Sequence, residues 1–167
     1  MTIEYSVCAS ALGKLLVARS SKGLCSVRIR GSEAELKRLL ESDFPEARLV
    51  RADRELAPMR SLILAAIGGR QPAKPVPFDL RGTDFQRSVW RELLKIPSGS
   101  TRSYGDIARA VGNRRATRAV AQACGANPIP VLVPCHRVIQ SDGGLGGYTG
   151  GVRIKKALLK SEGITLP

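Results

Sequence analysis

Aromatic residues are scarce in this chain of 167 residues: one tryptophan, three tyrosines and three phenylalanines, 4% of the total. The core therefore has to be built mainly from aliphatic side chains, within a hydrophobic content of 43%. The length suits one compact unit or two small subdomains and is enough to bury a real core. No stretch reaches the roughly 18 uncharged apolar residues that a membrane span needs. The opening MTIEYSVCAS has neither a basic start nor an apolar secretory core, so a soluble protein inside the cell is expected. Histidine occurs once, at His136, and no C-x-x-C pair is present. Cys8, Cys25, Cys124 and Cys135 lack the regular spacing of a disulfide framework and the histidine partners of a zinc site. Reduced thiols, no metal and no cofactor are expected.

Acidic residues are also few, 14 against 27 lysines and arginines, for a formal net charge of +13. The excess is uneven: residues 1–80 carry 13 basic and 9 acidic side chains, whereas 81–167 carry 14 and 5. Such asymmetry suggests a polyanion, most often nucleic acid, engaged through the second half. A generically basic composition explains the total equally well, so charge names a partner class without deciding it.

The first part alternates like strands over Ile3–Val7, Leu15–Ala18 and Cys25–Ile29, with turns at Gly13 and Ser21-Lys22-Gly23. Ser32-Glu33-Ala34-Glu35 opens a helix through about Phe44 as a capping box, and Pro45 ends it. A second helix runs from about Leu56 to Ile67, with Pro58 in its first turn and Gly68-Gly69 as its stop. Pro72, Pro75 and Pro77 mark a linker. The expected architecture is α/β (α+β): an N-terminal α/β domain of antiparallel strands and helices over 1–77, then a mostly helical domain over 78–167.

In that second domain Thr83-x-x-Gln86 caps a helix to about Lys95, and Ser103 caps another over Tyr104–Val111. Gly112-Asn113-Arg114-Arg115 turns into a helix over Ala116–Cys124, the spacing of a helix-turn-helix with basic decoration. After Asn127-Pro128 an apolar run, Ile129–Val133, leads to Pro134-Cys135-His136-Arg137-Val138. A thiol becomes a strong nucleophile on losing its proton, and an imidazole can take that proton near neutral pH. Neighbouring residues seldom bring their side chains into direct contact, so a water between them is expected. A carboxylate would orient the ring, with Asp142 and Glu162 as the downstream candidates. The competing reading is that Cys135 is simply a small buried hydrophobe.

The segment IPVLVPCHRVI at 129–139, with GGYTGG at 146–151, closely resembles the active-site signature of the O6-alkylguanine-DNA alkyltransferases, the methylated-DNA–protein-cysteine methyltransferases. LRGTDFQRSVWRELLKIPSGSTRSYGDIA at 80–108 is similar to that family too, as is Arg118-Ala119-Val120 with Asn127-Pro128. The likeness is dense over 80–163. Over 5–30 it is looser: ALGKLLVA at 11–18 has Ala11 where proline is usual. With SSKGLCSV at 20–27, it is closer to the alkyltransferase half of the bifunctional adaptive-response proteins, whose separate zinc module has no counterpart in these 167 residues.

The resemblance implies a single-use DNA repair reaction on double-stranded DNA carrying O6-alkylguanine, with O4-alkylthymine left open as a further lesion. Cys135 would take the alkyl group in an in-line displacement. His136 would accept the thiol proton through water, Glu162 would orient His136, and Asn127 would hold the turn before the active-site strand. Tyr104 would donate to guanine N3 and push the adjacent phosphate aside as the base leaves the stack. Arg118 would fill the gap as a finger, with Ala116, Thr117, Ala119, Gln122, Arg114 and Arg115 at the minor groove and Ala123 among the small residues that permit close approach. Val138, Tyr148, Thr149 and Lys155 would form the alkylguanine pocket. Pro130 and Gly150 would set its breadth, glycine leaving room for benzyl-sized groups. A cytoplasmic monomer, meeting DNA in the nucleoid or nucleus, completes the expectation. A lesion-binding non-enzyme would not need Cys135, a helix-turn-helix transcription factor would not need the Cys-His-Arg signature, and a cysteine hydrolase would turn over many times.

Overall fold

A computed structural model describes residues 1–166. Three antiparallel strands, β1 (Thr2–Ser10), β2 (Gly13–Ser20) and β3 (Gly23–Arg30), are joined by tight turns. A fourth strand, β4 (Arg48–Arg51), adds parallel to β1, giving the order β3-β2-β1-β4. The sheet is therefore not wholly antiparallel as expected. A parallel partner requires a crossover, and α1 (Glu33–Asp43) supplies it. The period-2 alternation buries both faces. Leu16, Ala18 and Cys25 pack with Ile3, Tyr5, Val7 and the α1 residues Leu36 and Leu40. On the other face, Leu15, Val17, Val27 and Ile29 join Ile63 and Ile67 of α2 (Ala57–Ile67).

That second cluster continues into the C-terminal half through Val89, Trp90 and Leu93 of α3 (Asp84–Leu93) and Ile107 of α4 (Tyr104–Ala110). It extends through Val120 of α5 (Thr117–Gly125) to Ile154 and Leu158 of α6 (Val152–Ser161). Two reciprocal capping boxes fix helix starts: Thr83 with Gln86 for α3, and Ser103 with Asp106 for α4. At α1 only the forward bond forms, Glu35 N to Ser32 Oγ at 3.2 Å, while the Glu35 carboxylate lies 3.8 Å from Arg30. Trp90, fully buried, donates from Nε1 to Ala123 O at 2.8 Å and so locks α3 to α5. A Cβ at residue 82 would sit 2.5 Å from its ring, so glycine there makes room for the indole.

The apolar run 129–133 is not the strand expected before Cys135. It is an irregular buried loop, and Val131 adopts φ +78°. Pro128, Pro130 and Pro134 remove donors that a ladder would need. The Asn127 side chain replaces part of that ladder, accepting from Ile129 N at 2.9 Å and donating to Val133 O at 2.8 Å. Two short parallel strands, β5 (Arg102–Ser103) and β6 (Val138–Ile139), then tie the start of α4 to the segment after Cys135.

Candidate active site

Cys135 opens a single 3-10 turn, Cys135–Arg137, and its residue is 2% exposed. Burial pushes its thiol up to about 11, against a hydrogen bond from the Asn127 side chain and the positive charge of Lys155. The resting group is thus a thiol at neutral pH and needs a base. His136 lies beside it, and its Nε2 is 2.7 Å from Glu162 Oε1. Burial holds His136 below its ordinary value while the Glu162 carboxylate pulls the other way. An ionised carboxylate only accepts, so Nε2 carries the proton and Nδ1 keeps its lone pair. Nδ1 is buried with no hydrogen-bond partner among the described residues. Burial alone would raise Glu162, but hydrogen bonds from His136 and Arg137 outweigh it and hold the carboxyl down to about 2. Of the two carboxylates offered by the sequence, Glu162 is therefore the one against the imidazole. Asp142 is exposed and accepts from Gly144 N at 2.8 Å.

Lys155, on α6, is fully buried and its ammonium donates to the carbonyls of Val138 (2.7 Å), Leu145 and Gly147 (3.3 Å), with Tyr104 Oη at 3.4 Å. It pins the loop of residues 140–151 by two backbone carbonyls, Leu145 and Gly147, and ties it to Val138 of the strand after Cys135. Gly146, at φ +69°, lets that loop pass Tyr104, because a Cβ there would lie 2.6 Å from the hydroxyl oxygen. Burial pushes the Tyr104 hydroxyl up to about 12, so it remains a donor.

A cavity of about 490 Å³ has Cys135, Cys124, Tyr104, Tyr148 and Thr149 in its wall. Val138, Lys155, Pro130 and Gly150 lie outside that lining; Val138, Lys155 and Pro130 are buried. A Cβ at Gly150 would meet Ile154 Cδ1 at 3.1 Å and Tyr148 Cε1 at 3.5 Å. On α5, Thr117, Arg118 and Gln122 are exposed, as are Arg114 and Arg115 in the preceding turn, and Ala119 is half-buried. Ala116, 8% exposed, and Ala123, 1%, instead turn inward, where small size serves helix packing.

Residues 84–164 match the family described as 6-O-methylguanine DNA methyltransferase, DNA binding domain. A Mycobacterium tuberculosis methylated-DNA–protein-cysteine methyltransferase is 41% identical over 160 residues, covering 96% of this chain and 92% of that protein. The chain belongs to the methylated-DNA–protein-cysteine methyltransferase family. The crystal structure of Mycobacterium tuberculosis OGT in complex with DNA superposes with a TM-score of 0.78 at 37% identity, over 95% of this chain and 92% of that one. The Escherichia coli bifunctional transcriptional activator/DNA repair enzyme Ada is 39% identical over 97% of this chain, which spans only 46% of Ada's length.

Two features of this methyltransferase-family chain escaped the sequence reading. Arg137, buried, grips Glu162 through Nε (2.8 and 2.9 Å) and Nη2 (2.6 Å), and also reaches Ile96 O (2.6 Å) and Gln71 Oε1 (3.0 Å). It fixes the carboxylate that fixes the imidazole, as a positioning residue. The only sequence signal for it was its place in the Cys-His-Arg run. Arg28 and Arg30 of β3 also line the cavity, and no local signal connects residue 30 with residue 135.

Proposed function

We propose that this protein repairs O6-alkylguanine in double-stranded DNA by moving the alkyl group irreversibly to Cys135. The observation that carries this is Cys135 in the cavity wall, followed in the chain by a buried His136 that is held by Glu162 and has its Nδ1 left as a free acceptor among the described residues. Nδ1 takes the thiol proton through a water, and Sγ attacks the alkyl carbon in line with the bond to O6. The S–C bond forms as the C–O6 bond breaks, and the electron pair goes to the guanine ring. Tyr104 donates its hydroxyl hydrogen bond to N3 as that charge builds. The thioether has no leaving group, so each molecule reacts once.

A buried thiol cannot reach a stacked base, so the nucleotide is extruded into the cavity. The exposed Arg118 fills the gap from the minor-groove side, with Thr117, Gln122, Arg114 and Arg115 along the backbone. The division at 77/78 belongs to the same reading, since the matched DNA-binding segment, 84–164, falls wholly in the second part. So do a monomeric state and a site of action where the DNA lies. A benzyl-sized group should enter as well, since glycine at 150 puts no side chain against Tyr148 of the cavity wall; no thioether on Cys135 after exposure to O6-benzylguanine would defeat that point. The whole reading is tested by adding protein to excess duplex carrying O6-methylguanine and counting repaired lesions. One lesion per protein is expected, and continued turnover would overturn the proposal.

A further inference from the structure

The cavity that holds Cys135 is not built from the C-terminal half alone. Its lining includes Arg28 and Arg30 from β3, the edge strand of the N-terminal sheet. This edge is fixed against the segment leading to Cys135, where Val27 N donates to Pro128 O at 2.9 Å. Residues 28 and 30 fall on the same side of the strand, yet their guanidinium groups are differently engaged. Arg28 is committed to Asp43, with Nε at 3.2 Å and Nη2 at 2.6 Å. Arg30 has one hydrogen bond, from Nη1 to the Ile29 carbonyl at 2.7 Å, and Glu35 Oε1 at 3.8 Å is beyond hydrogen-bonding distance. Its side chain is only 22% exposed. The guanidinium thus keeps most of its donors unused, and its one ion pair, with the partly exposed Glu35, is long.

We infer that Arg30 holds the backbone phosphate beside the extruded nucleotide, so that the N-terminal sheet contributes a DNA contact at the lesion itself. The inference rests on the function proposed above. Arginine offers donors only, and a nucleotide entering this cavity has one full negative charge, on its phosphate; the planar fork of arginine suits that group. The lesion strand is then held between β3 on one side and the basic end of α5 on the other.

The test measures methyl transfer by intact mass for wild type, Arg30→Gln and Arg30→Lys, on two substrates. One is a duplex with a single O6-methylguanine. The other is O6-methyl-2′-deoxyguanosine, the same lesion without phosphates. Arg30→Gln should slow the duplex reaction about tenfold, slow the nucleoside reaction much less, and lower the salt slope of duplex binding by about 1. Arg30→Lys, which keeps the charge, should recover part of the duplex rate. An unchanged duplex rate and salt slope, or equal losses on both substrates, would overturn the Arg30 assignment while leaving the Cys135 chemistry intact. A wild-type protein inert towards both substrates would instead sink the underlying reading.

Discussion

Arg137 and Lys155 are both buried near Cys135, but one is paired with a carboxylate and the other only hydrogen-bonds uncharged groups. Arg137 and His136 share Glu162, a closed charge cluster that joins the Cys135 turn, the end of α6 and the carbonyl of Ile96. Lys155 makes no bond to that cluster, and its ammonium is satisfied by the carbonyls of Val138, Leu145 and Gly147. The first region sets the protonation and tautomer of His136; the second ties the loop beside the cavity to Tyr104. Breaking them should therefore have different costs and different chemical signatures.

The largest effect is expected from Glu162→Ala, which leaves Arg137 buried without its anion and should cost about 3–5 kcal/mol in urea unfolding. Glu162→Gln keeps an acceptor for His136 and should cost less, while still slowing methyl transfer. Lys155→Met removes a cation whose partners are uncharged, so it should cost about 1–3 kcal/mol. A larger loss for Lys155→Met than for Glu162→Ala would invert the comparison. Gly146→Ala, which puts a Cβ against Tyr104 at a positive φ, should cost about 1 kcal/mol. It should slow the reaction on duplex DNA by displacing the loop.

A further effect is in the acid limb. Glu162 sits at about 2 in the folded protein against an ordinary 4.5, so below 4.5 the unfolded chain binds the proton first. Its contribution to stability is complete above about 4.5 and disappears as pH falls towards 2. The stability difference between wild type and Glu162→Gln should shrink across that window. Lys155→Met should follow the wild-type acid profile, because an ammonium does not titrate there.

Local chemistry made much of the frame readable. Thr83 with Gln86 and Ser103 announce their helices through bonds three residues away, and the period-2 runs announce β1 to β3. What depended on distant partners was harder. β4 is a four-residue edge strand flanked by arginines, and only its pairing with β1 identifies it. The run 129–133 looks like a strand by composition, but its prolines and the Asn127 side chain impose a loop. Cys135, His136 and Glu162 could be named in advance through the Cys-His-Arg signature and its resemblance. Arg137 and Arg30 could not, because their meaning comes from contacts with residues 25 and more than 90 positions away.

The central claim is that Cys135 is the acceptor, and intact mass tests it most directly. Wild type and Cys135→Ala would each be incubated with a duplex carrying one O6-methylguanine, and the product mapped by peptide mass. A stoichiometric gain of one methyl group on the peptide containing Cys135, absent in the variant, is predicted. Tight lesion binding with no gain in mass would mean that the thiol is idle and that the protein only senses damage.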